Sequence, residues 1–340
     1  MPNWIRTIVG STLAVVAGSL AYGRYLTPSR LPLPKAVAAE RRMVRHRAGD
    51  LSYYVTGEGS PILLIHSINA AASVYEIAPI FEAFRNDRRV YAVDLPGFGF
   101  SERTARRYDI DLYVDAIADM LDVIASETGR RSVDILAVSL SAEFLARLAS
   151  ERPGGLRTLC LVTPTGFDRV SSGRRGREGS NREVPGLHAT VTFPLWSRAL
   201  YNLLVTRPSI RFFLEKTWGS KRIDEGAFEY SYRTSHQPGA ERAPFAFVSG
   251  RLFSGDIRSV YERLNLPVLV IHGTRGDFGD FTGVGWTRSR PNWTVVPLPT
   301  GALPHFERPA EFAAIYRDFL DRGVRAPDQA SSSPSRSPRP

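Results

Sequence analysis

Six short apolar runs set the limits on what this chain can become. PILLIHS (61–67), RVYAVDL (89–95), VDILAVS (133–139), TLCLVTP (158–164), PVLVIHG (267–273) and WTVVPLP (293–299) lack the polar alternation of a half-exposed strand. A strand that is apolar on both sides must be covered on both. Stretches with helical periodicity, such as YVDAIADMLDVIASE (113–127) and EFLARLASE (143–151), stand between several of the runs. The pattern predicts an α/β fold, a mostly parallel central sheet with helices on both faces.

The alternation stops after Thr165 and resumes only at Pro267. A structureless loop of that length is improbable inside a compact domain. The interval holds FPLWSRALYNLLVTRPSIRFFLEKTWG (193–219), aromatic-rich and helical in pattern, so an inserted helical cap is expected at 166–250. Residues 37–165 and 251–325 then form the core.

The ends read differently. Residues 7–23, TIVGSTLAVVAGSLAYG, carry no charge and lie between Arg6 and Arg24. That is near the lower limit of about 17 residues for a spanning helix. Region 1–36 is therefore expected to be a membrane anchor with a proline-rich spacer, PSRLPLPK (28–35). Basic residues are more numerous after the run than before it, which keeps the globular part cytoplasmic. The small residues SLA (19–21) support the alternative, a signal cleaved on export. The polar tail 326–340 lacks the apolar content to order itself.

The net charge of +10 raises the question of nucleic acid. Much of the excess lies in 40–47 and 168–183, without zinc-finger spacing or an aromatic RNA-binding signature beside it, so both stretches are expected to be solvated loops. An anionic membrane surface is the alternative partner. The single cysteine, Cys160, excludes an internal disulfide and a cysteine-rich metal site, and in TLCLV it reads as a buried thiol.

In VDILAVSLSAEF (133–144), Ser139 ends a strand and precedes a helix. A nucleophile there needs a sharp turn, which crowds the residues two before and two after it and favours G-x-S-x-G. Here those residues are Ala137 and Ser141, so the motif alone leaves Ser139 either a nucleophile or a strand-end serine. Two later loops add partners: VLVIHGTRGDFGDF (268–281) places Asp277 and Asp280 after a strand, and TGALPHFERPAEF (300–312) places His305 between a strand and a helix. Serine, aspartate, histidine is the order of a triad built from strand-end loops.

From about residue 47 to 322 the chain resembles the α/β-hydrolase family. HSINAAASVYE (66–76) is similar to its oxyanion loop, VDLPGFGFSER (93–103) to its Asp-x-Pro-Gly-x-Gly-x-Ser segment, and PHFERPAEF (304–312) to its histidine loop. The resemblance implies oxyanion donors at the amides of Ile68 and Leu140, with Ser67 standing where the family usually has glycine. His66 would support that loop and Asp94 the glycine turn. The family's acid position falls on Gly276, so Asp277 is the expected acid, with Asp280 and then Asp168 behind it. Trp196, Tyr201, Phe212, Phe213 and Trp218 of the cap would line a pocket for a small lipophilic ester, hydrolysed through an acyl-enzyme with neither metal nor organic cofactor. Acyl transfer, carbon–carbon bond hydrolysis and cofactor-free haloperoxidation are alternatives within the fold. The replaced glycines favour another class, a non-catalytic membrane-tethered binding module.

Overall fold

The computed structural model describes residues 30–130 and 132–325. The expected anchor (1–29 of it) and the tail lie outside them. Eight strands form one sheet: β1 (Glu40–His46), β2 (Gly49–Thr56), β3 (Pro61–Ile65), β4 (Arg89–Asp94), β5 (Val133–Val138), β6 (Leu156–Val162), β7 (Val268–Gly273) and β8 (Trp293–Leu298). Their order is β1-β2-β4-β3-β5-β6-β7-β8, with β2 antiparallel to both neighbours and every other pair parallel.

Each of the six apolar runs is a strand, and five are buried on both faces; the sixth, β8, is an edge strand only partly buried. Leu63, Ile65 and Ile135 face one core, under the helices Ile110–Thr128, Ser141–Glu151 and Ile257–Glu262; Ile62, Leu64, Leu136 and Cys160 face another, under Ala78–Phe84 and Pro309–Arg325. Period-two alternation thus distributes one continuous apolar run between two cores. The helix Ile110–Thr128 begins where Asp109 accepts from the amide of Leu112 and stops at Gly129, whose φ of 65° few other residues would adopt.

The first basic stretch departs from the expected solvated loop, whereas the second is largely one, with residues 173–179 exposed, and is tied down at its ends. Residues 40–46 are edge strand β1, mostly solvent-exposed, paired with β2 through a turn at Arg47 and Ala48. Arginine on such an edge discourages pairing with another chain. In 168–183, Asp168 caps the helix Arg169–Gly173, Arg182 donates to Ser254 O and Ser171 Oγ, and Asn181 forms an isolated bridge with Ser254. The stretch is pinned, because its polar side chains replace the apolar contacts it lacks.

Between β6 and β7 the chain is helical, and Tyr201, Val205, Ile210, Phe228 and Phe245 give it a third apolar cluster. Thr206 caps Arg207–Trp218 through Ser209 N, and Asp224 caps Glu225–Ser235 through Ala227 N. Trp218 joins the second core, fastening this layer over the carboxyl ends of the strands.

Candidate active site

Ser139 follows β5 directly with φ 54°; Thr163, after β6, is the only other described non-glycine residue with positive φ. A left-handed serine costs roughly 1–2 kcal/mol, so neighbouring structure must hold it. The Ser139 amide donates to Val162 O at 2.8 Å, and the Ala142 amide donates to Ser139 O at 3.1 Å. Ser141 donates its hydroxyl to His66 O at 2.6 Å. The residue that replaces the second elbow glycine therefore ties the elbow to the loop after β3.

That loop is fixed from several sides. Ser67 N donates to Glu76 Oε2 at 2.9 Å, Asn69 Nδ2 to Glu76 Oε1 at 2.6 Å, and Ala71 N to Asn69 Oδ1 at 2.7 Å. His66 is buried, and Leu95 N donates to its Nε2 at 3.0 Å, which assigns the proton to Nδ1 and its 2.6 Å bond to Ser67 O. Asp94 accepts from Val74 N and Phe100 N, each at 3.0 Å, and closes the glycine turn. Glu76, which sequence reasoning did not single out, organises the loop; only its place at the end of HSINAAASVYE marked it. Burial raises the pKa of its carboxyl.

Ser139, Ile68 and Leu140 lie on one pocket of about 400 Å³, whose lining is mostly apolar. Of the cap residues expected there, only Trp218 lines it. Trp196 instead packs on Phe193 and donates to Thr190 O, the buried Tyr201 donates to Ala70 O, and Phe212 and Phe213 are 53% and 50% exposed. The pocket's other rings are Tyr75, Phe247, Phe253, Phe278, Phe281 and Phe306.

The other expected triad residues have partners of their own in this structure. Asp277 and Asp280 line the pocket, but Asp277 pairs with Lys216 at 2.9 Å and Asp280 accepts from Thr282 N and Oγ1 at 3.0 and 2.7 Å. His305 does not line it. Ala302 and Leu303 do, and His305 lies behind them in the short helix Pro304–Glu307, 1% exposed. Its Nε2 donates to Glu76 O at 2.7 Å, and Nδ1 is buried without a partner. Burial lowers the pKa of this imidazole to about 4.

Sterics explain the missing acid. Gly276 has φ 84°, and a Cβ there would lie 2.8 Å from Gly219 Cα, so no side chain fits. The same junction holds the end of the cap helix: Ala302 N donates to Thr217 O at 2.8 Å, and Arg275 Nη2 to Trp218 O at 2.9 Å. Asp277 is left on the solvent side, with more than half of its side chain exposed. Asp168 lines the pocket but spends its carboxylate on capping Val170 N and Ser171 N. His272 stacks on Phe281 at 3.8 Å and donates to Gly273 O.

Residues 62–315 match the Alpha/beta hydrolase family. The chain is 24% identical over 162 residues to a 2-hydroxy-6-oxo-2,4-heptadienoate hydrolase of Pseudomonas putida, covering 47% of this chain and 57% of that protein. It spans little more than half of that relative. It is 26% identical over 241 residues to a pimeloyl-[acyl-carrier protein] methyl ester esterase of Neisseria meningitidis, covering 69% and 84% of the two chains. Among solved structures, a serine hydrolase involved in carbazole degradation superposes with a TM-score of 0.66 at 18% identity, over 84% of this chain and all of the other.

Proposed function

The chain belongs to the alpha/beta hydrolase family, and from that premise we propose that it admits a lipophilic ester-like compound to the pocket over Ser139 and hydrolyses it through an acyl-Ser139 intermediate. The observation that carries this reading is the left-handed Ser139 on the wall of an apolar pocket. A strained non-glycine residue at a strand end is a cost that function repays. Ser139 Oγ attacks the carbonyl carbon, and the amides of Ile68 and Leu140 receive the oxyanion. Each such donor is worth about 10²- to 10³-fold in rate.

The hydroxyl proton passes to the Glu76 carboxylate. Asp277 pairs with Lys216, Asp280 holds Thr282 and Asp168 Oδ1 caps a helix; Glu76 also holds Ser67 N and Asn69 Nδ2, but it is a buried carboxyl on the pocket wall whose pKa burial raises, the direction of shift that a carboxylate base needs. Protonated Glu76 then returns the proton to the leaving alkoxide. Water attacks the acyl-enzyme by the same route and releases the acid.

A second reading, ligand binding without turnover, is favoured by one observation: no histidine lines the pocket. Fluorophosphonate labelling separates the two. Rapid, stoichiometric modification of Ser139, lost in Ser139→Ala, supports hydrolysis. A folded protein that binds lipophilic esters yet fails to label supports binding alone.

A further inference from the structure

The cap carries an apolar surface that the pocket does not use. Phe193, Leu195, Leu200, Leu203, Phe212 and Phe213 are each 40–68% exposed. Leu200 and Leu203 stand three apart on the helix Ser197–Leu204, and Phe212 packs edge-on against Phe213 on Arg207–Trp218. Several large exposed apolar side chains within one short stretch call for a partner.

Charge and chain connectivity identify it. Between Phe193 and Arg222 the sequence has six basic residues (Arg198, Arg207, Arg211, Lys216, Lys221, Arg222) and one acidic residue, Glu215. Arg207 and Arg211 pair with Glu229 and Glu225, and Lys216 with Asp277, while Arg198, Lys221 and Arg222 make no ion pair among the described residues. The described chain also starts here. Arg30 shares a groove with Ser197 and Arg198, and Gln237 Nε2 and Arg233 Nη1 donate to Leu31 O and Pro32 O.

Twenty-nine residues precede Arg30, among them the uncharged run 7–23. From Gly23 to Arg30 an extended chain reaches at most about 25 Å. That length bounds how far the end of the run can stand from Arg30 and the groove it shares with Arg198.

We propose that this face of the cap rests on an anionic phospholipid bilayer, its rings and leucines among the acyl chains and its basic residues among the headgroups. Such a combination of apolar area and cationic side chains is how interfacial segments bind. The proposal concerns the outside of the cap and holds whether or not Ser139 turns over.

The test uses the full chain with Phe213→Cys carrying an environment-sensitive NBD fluorophore; the native Cys160 is fully buried and does not compete for the label. Ser132→Cys, exposed at the opposite end of the sheet, is the reference. With vesicles of equimolar phosphatidylcholine and phosphatidylglycerol, the probe at 213 should shift to the blue and be quenched by acyl-chain spin labels, more strongly than with phosphatidylcholine alone, while the probe at 132 stays unchanged. An unshifted probe at 213 on a chain that co-sediments with the vesicles would overturn the proposal. So would equal shifts with and without the anionic lipid. A probe already shielded from iodide before lipid is added would also overturn it, assigning the face to the chain's own segment 7–23.

Discussion

His305 and Glu76 meet through a ring nitrogen and a backbone oxygen, 2.7 Å apart, and no carboxylate reaches the other ring nitrogen. The imidazole is a buried neutral donor that joins the loop after β8 to the loop after β3. Its native pKa is about 4, below the ordinary 6.5, so between these values the unfolded chain binds a proton that the native protein does not. The stability this group contributes is full above pH 6.5 and falls as pH drops toward 4. The shift corresponds to about 3 kcal/mol. Denaturant titrations of wild type and His305→Gln should converge in stability over that window, since glutamine keeps a donor for Glu76 O and does not titrate. A constant difference between the two would remove the imidazole from this role.

Asp277→Asn should cost little. Its partner Lys216 is an exposed ion pair, a contact worth about 0–1 kcal/mol, so probe labelling and ester turnover should change less than about fivefold. A loss of several orders of magnitude would mean that the loop after β7 rearranges to bring the acid to a base.

Glu76→Gln keeps the size of the side chain and one of its two acceptors, for Ser67 N or Asn69 Nδ2, but cannot accept the proton. Labelling of wild type should speed up as pH rises through the raised pKa of this carboxyl, because the base must be ionised, and the variant should be slow and flat over the same range. If the wild-type pH profile survives in the variant, the proton goes elsewhere.

At position 139, alanine and glycine should part company. Both abolish labelling, but only glycine relaxes the backbone at φ 54°, so Ser139→Gly should be about 1 kcal/mol more stable than Ser139→Ala. Thermal melts of the two variants give the comparison directly.

Gly276→Ala places a methyl 2.8 Å from Gly219 Cα on a left-handed residue. Overpacking and backbone strain together should lower stability by about 2–4 kcal/mol, read from the denaturation midpoint. A neutral substitution would show that the junction yields.

The central strands were legible because their periodicity carries the whole signal: runs apolar at every position fit only a sheet covered on both faces. Strand β1 was not. ERRMVRH is a mostly exposed edge held by backbone hydrogen bonds and ion pairs such as Arg42 with Glu127, and neither leaves a hydrophobic pattern. Ser139 could be located from its place between strand and helix. The surroundings of His305 were not legible: Ala302, Leu303 and Phe306 line the pocket while His305 is buried on Glu76 O, a distinction of side-chain contact that loop spacing does not encode. Phe212 and Phe213 misled similarly, since an aromatic helix reads the same whether its rings point inward or out.

The contact of Gly219 with Gly276, backened by the bonds from Ala302 and Arg275 to the same helix end, is a fixed pivot. Main chain against main chain cannot slide as side chains do. Leu214, Thr217 and Trp218, which line the pocket, come directly before that pivot, so this side of the pocket should keep its width whatever occupies it. Breadth on this side is thus set by side chains and not by hinge motion, and Leu214→Ala should widen the range of molecules admitted without disturbing the turn that holds Ser139.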